Sequence, residues 1–143
     1  MTDQHLFHKY IVRVFYEDTD SGGIVYYANY LKFMERARTE LLRQLGLTHG
    51  ELMRKYGLRF AVKECKINYI KPAVLDDELS IISEIVRLRG ASLEINQDVL
   101  RDQVCLVSGS IRLALLNAEG SPSRFPTALK ILLQQSKIKK GAA

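Results

Sequence analysis

The spacing of apolar residues changes period partway along this chain. Tyr30, Phe33, Met34, Ala37, Leu41 and Leu45 recur at i, i+3, i+4, i+7, i+11 and i+15, one stripe of an α-helix. Lys32, Glu35, Arg36, Arg38 and Arg43 fall mostly off that stripe. Gly46 suits the end of this helix, and Thr48 suits the start of a short second one over residues 50–56. After Gly57 the period becomes two. Cys65, Ile67 and Tyr69 alternate with Glu64, Lys66 and Asn68, predicting a strand with one buried face that ends at Pro72. Residues 79–88 are apolar enough to be covered on both faces. Leu93, Ile95, Gln97 and Val99 alternate with Glu94, Asn96 and Asp98 between turns at Gly90 and at residues 101–103. A long strand over residues 104–116 follows, then a terminal helix over 127–135. Before the long helix, residues 10–16 read as a strand rich in β-branched and aromatic side chains.

The order is therefore strand, long helix, then four strands joined by short turns. Short connections favour antiparallel neighbours. A single apolar helix stripe has to bury against the sheet. The expectation is an α+β fold in which one curved antiparallel sheet of about five strands wraps one long central helix. Tyr69, the 79–88 run and the final strand are hard to hide in a monomer, so self-association is expected.

At 143 residues, the chain is expected to form a single domain over 1–143, with flexible ends near 1–8 and 136–143. Apolar residues make up 47% and charged residues 26%, which excludes a disordered tail, a collagen-like repeat or a disulfide scaffold. No apolar run reaches the roughly 18–20 residues of a membrane span. Residues 1–5 lack a basic-then-apolar signal pattern, so the cytoplasm is the expected compartment. Cys65 and Cys105 form no C-x-x-C pair and are expected as free, buried thiols. His5, His8 and His49 are scattered, so neither a metal site nor another cofactor is expected. The net charge is +5, of which Lys137, Lys139 and Lys140 supply three at the tail. The sequence carries no aromatic RNA-binding strand motif, helix-turn-helix spacing or internal basic run, so no nucleic-acid partner is expected.

The chemistry-bearing residues concentrate between the first strand and the helix, in Tyr16-Glu17-Asp18-Thr19-Asp20-Ser21-Gly22-Gly23-Ile24-Val25-Tyr26-Tyr27. Three carboxylates fall within four residues, and two glycines follow. Glycine lets backbone N–H groups approach a ligand, and a helix start offers unpaired N–H donors at the positive end of its dipole. A carboxylate beside such donors suits acyl transfer. The same residues also suit an acidic turn. The D-x-D-x-G start is like that of a calcium loop, but the closing glutamate position, counted from Asp18, is Asn29.

The run from Arg13 to Tyr30, followed by Phe33-Met34-Glu35-Arg36-Ala37-Arg38-Thr39-Glu40, resembles the signature of the hotdog-fold acyl-CoA thioesterases. Within them it is most similar to the 4-hydroxybenzoyl-CoA thioesterase class and its branch encoded with the bacterial Tol–Pal system. Asn68-Tyr69-Ile70-Lys71-Pro72-Ala73, Asp76-Asp77 and Arg89-Gly90-Ala91-Ser92-Leu93 extend the likeness. The resemblance implies hydrolysis of acyl-CoA to free acid and CoA. It makes Asp20 the catalytic carboxylate, as general base or as nucleophile. The Tyr27 backbone N–H becomes the oxyanion donor with Gly23 N–H beside it, and Tyr16 an orienting residue near the site. Asp18 reads as a turn residue. At position 27 the Tol–Pal branch usually carries histidine; this chain has tyrosine, as the 4-hydroxybenzoyl-CoA enzyme does.

Arg87 and Arg89 at the Gly90 turn, with Ser92 beside them, are read either as contacts for CoA phosphates or as arginines that merely solvate a hairpin; Arg89 aligns with an arginine of the family's nucleotide-binding stretch, whose neighbouring basic positions are Gly90 and Ala91 here. Phe60, Ala61 and Val62 are read either as an acyl pocket at a subunit interface or as plain core. Glu35, Arg36 and Arg38 are read as pairing near an interface or, for at least two of them, as a solvated helix face. A thioester on an acyl carrier protein is the rival substrate, and a non-catalytic hotdog scaffold the rival role. The implied assembly is a homodimer or a homotetramer built as a dimer of dimers.

Overall fold

The computed structural model describes residues 7–138. It contains β1 (Phe7–Arg13), α1 (Asn29–Gln44), α2 (His49–Tyr56), β2 (Arg59–Tyr69), β3 (Glu78–Arg89), β4 (Ser92–Arg101), β5 (Val104–Leu116) and α3 (Thr127–Ile138). The strands form one sheet in the order β1-β3-β4-β5-β2, and every neighbouring pair is antiparallel. Bulges interrupt the ladders at Val62/Glu64, Ile85/Arg87 and Val99/Leu100. An unpaired residue in one strand bends it and increases its twist, so these positions curve the sheet. This is the expected α+β architecture, helix on one curved antiparallel sheet.

The helix stripe behaves as its spacing requires. Tyr30, Phe33, Met34, Ala37 and Leu41 are buried against Leu79, Ile81, Ile85, Leu93, Ile95, Ile111 and Leu113 of the sheet. Each large side chain removed from water contributes about 1.5–3 kcal/mol. α1 lies chiefly over β1 and β3. Met34 reaches β5 at Gly109, where a Cβ would stand 2.9 Å from Ile67 Cδ1 and 3.2 Å from Met34 Cε. Only a residue without a side chain lets the helix sit this close to the strand. α2 begins as expected, with Thr48 Oγ1 accepting the Glu51 N–H at 3.0 Å.

Five expectations need correction. The first strand ends at Arg13 rather than running to residue 16, because Asp18 turns the chain. Its Oδ2 accepts the Phe15 N–H at 2.8 Å, and residues 16–18 close a 3₁₀ turn. β3 is fully buried on one face only: Leu79, Ile81, Ser83 and Ile85 are covered, while Ser80, Ile82, Glu84 and Val86 are half-buried. The expected buried face of β2 is open, with Cys65 and Tyr69 exposed and only Ile67 half-buried. β2 is an edge strand, and α1 sits toward the opposite side of the sheet. For the same reason Cys65 is free but exposed; Cys105 is free and half-buried. Finally, residues 7 and 8 belong to β1, paired with Glu84 and Ser83, and residues 136–138 belong to α3. The remainder of the two expected flexible ends, 1–6 and 139–143, lies outside the described residues.

Candidate active site

Asp18 and Asp20 sit two residues apart and do opposite things. Asp18 is buried. Its Oδ2 holds the Phe15 N–H, its Oδ1 accepts from Asn29 Nδ2 at 2.6 Å, and its carbonyl accepts the Tyr26 N–H at 2.9 Å. It therefore ties the end of β1 to the first residue of α1. Asp20 is exposed. Its Oδ1 accepts the Gly22 N–H at 2.8 Å and the Ile24 N–H at a longer 3.4 Å. That capture bends the chain back at Gly23, whose φ of +83° is a left-handed conformation glycine adopts without strain.

The loop is stitched to the rest of the molecule by bridges from Thr19 to Val25 and from Ile24 to Val74, and by Val25 N–H to the Ala73 carbonyl at 2.9 Å. The chain then enters α1, and among the described residues the Tyr27 N–H has no hydrogen-bond acceptor. Tyr27 stands two residues before Asn29, beside the helix-terminal donors that carry the positive end of the dipole. The Gly23 N–H is engaged within the turn, donating to the Asp20 carbonyl at 3.1 Å. Among the described residues no hydrogen bond joins Tyr16 to Asp20, and the Tyr16 phenol is 82% exposed.

Beside this helix start lies a cavity of about 250 Å³ lined by Ile24, Tyr27, Tyr30, Tyr69, Ile70 and Pro72. Asp20 is not among its lining residues. Three tyrosines form its wall. The Tyr69 ring meets Tyr27 edge-on at 6.0 Å and Tyr30 at 5.8 Å. The Tyr69 hydroxyl donates to the Tyr27 carbonyl at 3.2 Å, and the Tyr30 hydroxyl accepts the Ala73 N–H at 3.1 Å. Burial raises the pKa of both phenols, so both stay neutral in ordinary conditions. The loop behind them is held by Asp77, which accepts from Val74 N–H at 2.9 Å and pairs with Arg101 at 2.7 Å.

Arg89 and Ser92 come together in a second pocket, of about 150 Å³, with Lys63, Arg87, Glu94 and Arg112. Gly90 makes the β3–β4 turn beside them, and Ser92 Oγ donates to the Arg89 carbonyl at 3.0 Å. Arg112 pairs with Glu64 at 3.0 Å, and Arg87 with Glu94 at 3.9 Å. Val62 is not here. With Phe60 it lines a third pocket, against α1 and α2.

The model of the thioesterase superfamily matches residues 22–107. An acyl-CoA thioesterase, YbgC, of Haemophilus influenzae is 41% identical over 120 residues, covering 83% of this chain and 88% of its own length. The chain belongs to the thioesterase superfamily. The acyl-CoA thioester hydrolase YbgC of Escherichia coli O6:H1 is 43% identical across 70% of this chain and 74% of its own. A probable thioesterase from Bartonella henselae superposes with a TM-score of 0.79 at 40% identity, covering 84% of this chain and 99% of that one.

The sequence of this thioesterase did not reveal several neighbours of the candidate site. Asn29, the partner of Asp18, stood in view as the first residue of the helix, and an amide there is a natural mate for a buried carboxylate. Lys63 and Arg112 were missed because the bulge at Lys63 breaks strict alternation, and nothing in the residues 61–64 announces it. Arg38 is buried rather than solvated, unlike Glu35 and Arg36. It stands four residues after Met34 and three before Leu41, so it shares their face. Among the described residues no group of three His, Cys, Asp or Glu is placed to hold a metal, and no helix is long and apolar enough to cross a membrane.

Proposed function

We propose that this thioesterase hydrolyses acyl-CoA, with Asp20 and the Tyr27 N–H as the working pair. One observation carries the reading: a solvent-facing carboxylate held in its own turn, on a loop that runs directly into a helix start with a free N–H. The acyl carbonyl oxygen lies on the Tyr27 N–H, which stabilises the charge that develops there. As general base, Asp20 removes a proton from water while the water oxygen attacks the acyl carbon. The C–S bond then breaks, and the CoA thiolate leaves and is protonated. As nucleophile, Asp20 forms a mixed anhydride that water hydrolyses. A thiolate is a good leaving group, so a carboxylate and an oxyanion donor suffice without a triad.

Arg89, Ser92 and the neighbouring cations Lys63 and Arg112 supply charge for CoA phosphates. The chain acts as a single domain, in the cytoplasm, as a dimer or dimer of dimers. The open edge of β2, with Val62, Tyr69 and Ile70 each about half exposed, supports self-association. An acyl carrier protein thioester is the competing substrate.

The test is thiol release from a panel of short, long and aromatic acyl-CoAs, with the same acyl groups on carrier protein alongside. Asp20→Asn and Asp20→Ala are compared with wild type, and thermal melting checks that each folds. Undiminished turnover in a folded Asp20→Ala protein refutes the assignment. Isotope-labelled substrate traps an acyl-enzyme only if Asp20 attacks directly.

A further inference from the structure

The helices bury their side chains against one face of the sheet. Met34, Leu41, Leu52, Leu129 and Leu133 share one core with Leu79, Ile81, Ile95 and Ile111. The alternate residues of the same strands point to the opposite face. There Ile82, Glu84, Asp98, Ser108 and Ser110 are half-buried and Asn96 is exposed. A hollow of about 340 Å³ crosses that face from Phe7 to Lys66.

The ladder register sets the order of side chains across it. Phe7 pairs with Glu84, Glu84 with Asn96, Asn96 with Ser110, and Ser110 with Lys66. The row carries an anion toward one end, small neutral groups in the middle and a cation at the other end. The Lys66 side chain is 72% exposed and reaches Glu64 only at 4.0 Å. The next row reads Arg87, Glu94, Arg112 and Glu64 on β3, β4, β5 and β2. Both rows change sign when reversed about a line between β4 and β5.

A partner with charge of one sign gains nothing here, because attraction at one residue is offset by repulsion at the next. A second copy of this chain does gain. Turned over about a two-fold axis parallel to the strands, between β4 and β5, it reverses the row and lays its β2 on β3. Lys66 then meets Glu84 of the second copy, and Ser110 meets Asn96, each contact occurring twice. Phe7, 56% exposed beside Glu84, meets the hydrocarbon stem of that lysine. Five strands at about 4.8 Å spacing, with β4 ten residues long, make a face of roughly 800 Å². A stable interface takes about that area from each partner.

We propose that two copies of this chain pack these open sheet faces together, with Lys66 of each paired to Glu84 of the other. Aligned sheets cross at about 30°, so the Gly90 turn and its cations stay at an open corner. The contact uses neither the β2 edge nor the Asp20 site.

Sedimentation equilibrium of the full chain over a range of concentrations tests this. The wild type is expected to be at least dimeric. Lys66→Glu sets carboxylate against carboxylate, and the dissociation constant is expected to rise at least about tenfold. Lys66→Glu/Glu84→Lys restores opposite charges and is expected to return it to within about threefold of wild type. Two strands separate Lys66 from Glu84 within one sheet, so rescue reports a contact between copies. Ser110→Arg fills the hollow and is expected to weaken association as much as Lys66→Glu does, with thermal melting checking that each variant folds. Methyl shifts of Ile82 in the wild type, followed on dilution, need no substitution and are expected to move with dissociation. A monomeric wild type overturns the proposal. So does unchanged association in Lys66→Glu or in Ser110→Arg, a double variant as weak as the single one, or an Ile82 signal that dilution leaves in place.

Discussion

Asp18 and Asp20 are the same residue two positions apart, and the chain treats them as different materials. Asp18 spends both oxygens on internal donors, Phe15 N–H and Asn29 Nδ2, and is closed to solvent. Asp20 spends one oxygen on its own turn and keeps the other outward. The difference lies in what stands behind each. Asp18 faces the junction of β1 and α1, whereas Asp20 crowns a two-glycine loop. A hydrogen-bonded clasp below allows the carboxylate above, the proposed reactive one, to be exposed and still placed.

The largest effect expected from breaking this contrast is at Asp20. Asp20→Asn keeps the turn, because the amide oxygen still accepts the Gly22 N–H, and removes the proposed base or nucleophile. Thiol-release kcat is expected to fall at least about a hundredfold. The melting transition is expected to move by no more than the roughly 0.5 kcal/mol of an ordinary surface change. A matched loss of stability would mean that Asp20, too, is structural.

Asp18→Ala is the mirror experiment. It leaves the Phe15 N–H and the Asn29 amide without their acceptor inside the fold, at a cost of about 1–3 kcal/mol in denaturant unfolding. Asn29→Ala is expected to cost less, and the double variant less than the sum, because both single changes break one contact. A coupling near zero would show that the 2.6 Å contact contributes little to stability.

How far these roles were legible beforehand follows from what each depends on. The α1 stripe was readable because helical spacing decides burial locally, and its members are buried as expected except Leu45 at the helix end, which is half-buried. The clustering of Asp18, Asp20 and two glycines before a helix was readable as a chemistry-bearing loop. The division of labour between the two aspartates was suggested by family resemblance; the hydrogen bonds now give Asp18 a structural role. The open face of β2 was not legible, because alternation says that a strand has two faces and not whether a helix covers either. Of Glu35, Arg36 and Arg38, at least two were expected on a solvated face, and Glu35 and Arg36 are exposed; that the buried one is Arg38 follows from helix geometry, which puts it between Met34 and Leu41. The cations at Lys63 and Arg112 depend on a bulge that only the sheet's register reveals.

Tyr69→Phe sharpens the contrast from the other side, since it loosens the helix start without touching either aspartate. It deletes the 3.2 Å bond to the Tyr27 carbonyl and keeps the ring contacts. A hydrogen bond of net value about 0.5–1.5 kcal/mol corresponds to a two- to tenfold fall in kcat. KM is expected to hold steady, since in the proposed mechanism the Tyr27 peptide positions the reacting carbonyl rather than the CoA. A change confined to KM would make Tyr69 a binding residue.

A smaller effect is expected at the back of the loop. Burial alone would raise the Asp77 pKa, but the Val74 N–H and the Arg101 guanidinium outweigh it and hold the carboxyl below its ordinary value. A depressed folded pKa contributes stability above the unfolded value, near pH 4, and that stability is lost as pH falls through the folded value. The pair is partly solvated, so its contribution is about 1 kcal/mol or less. Arg101→Met is expected to flatten the acid limb of the stability profile below about pH 4 while leaving neutral-pH turnover nearly intact. An unchanged acid limb would mean that the backbone N–H alone sets the Asp77 pKa.

Tyr27→Phe is expected to change least. The variant keeps the N–H at the helix start, the carbonyl that receives Tyr69, and the ring that packs on Tyr26 at 5.0 Å and on Tyr69. It deletes only a hydroxyl on a side chain that is 61% exposed and has no hydrogen-bond partner among the described residues. If the working donor is the main chain, kcat stays within about twofold of wild type, less than one hydrogen bond's worth. The ranking is more informative than either value alone. With Tyr69→Phe slower than Tyr27→Phe, the peptide at 27 is what the site needs, and its side chain is replaceable. With the order reversed, the phenol itself reaches the reacting atoms, and the contrast would have to include a third group beside the two aspartates.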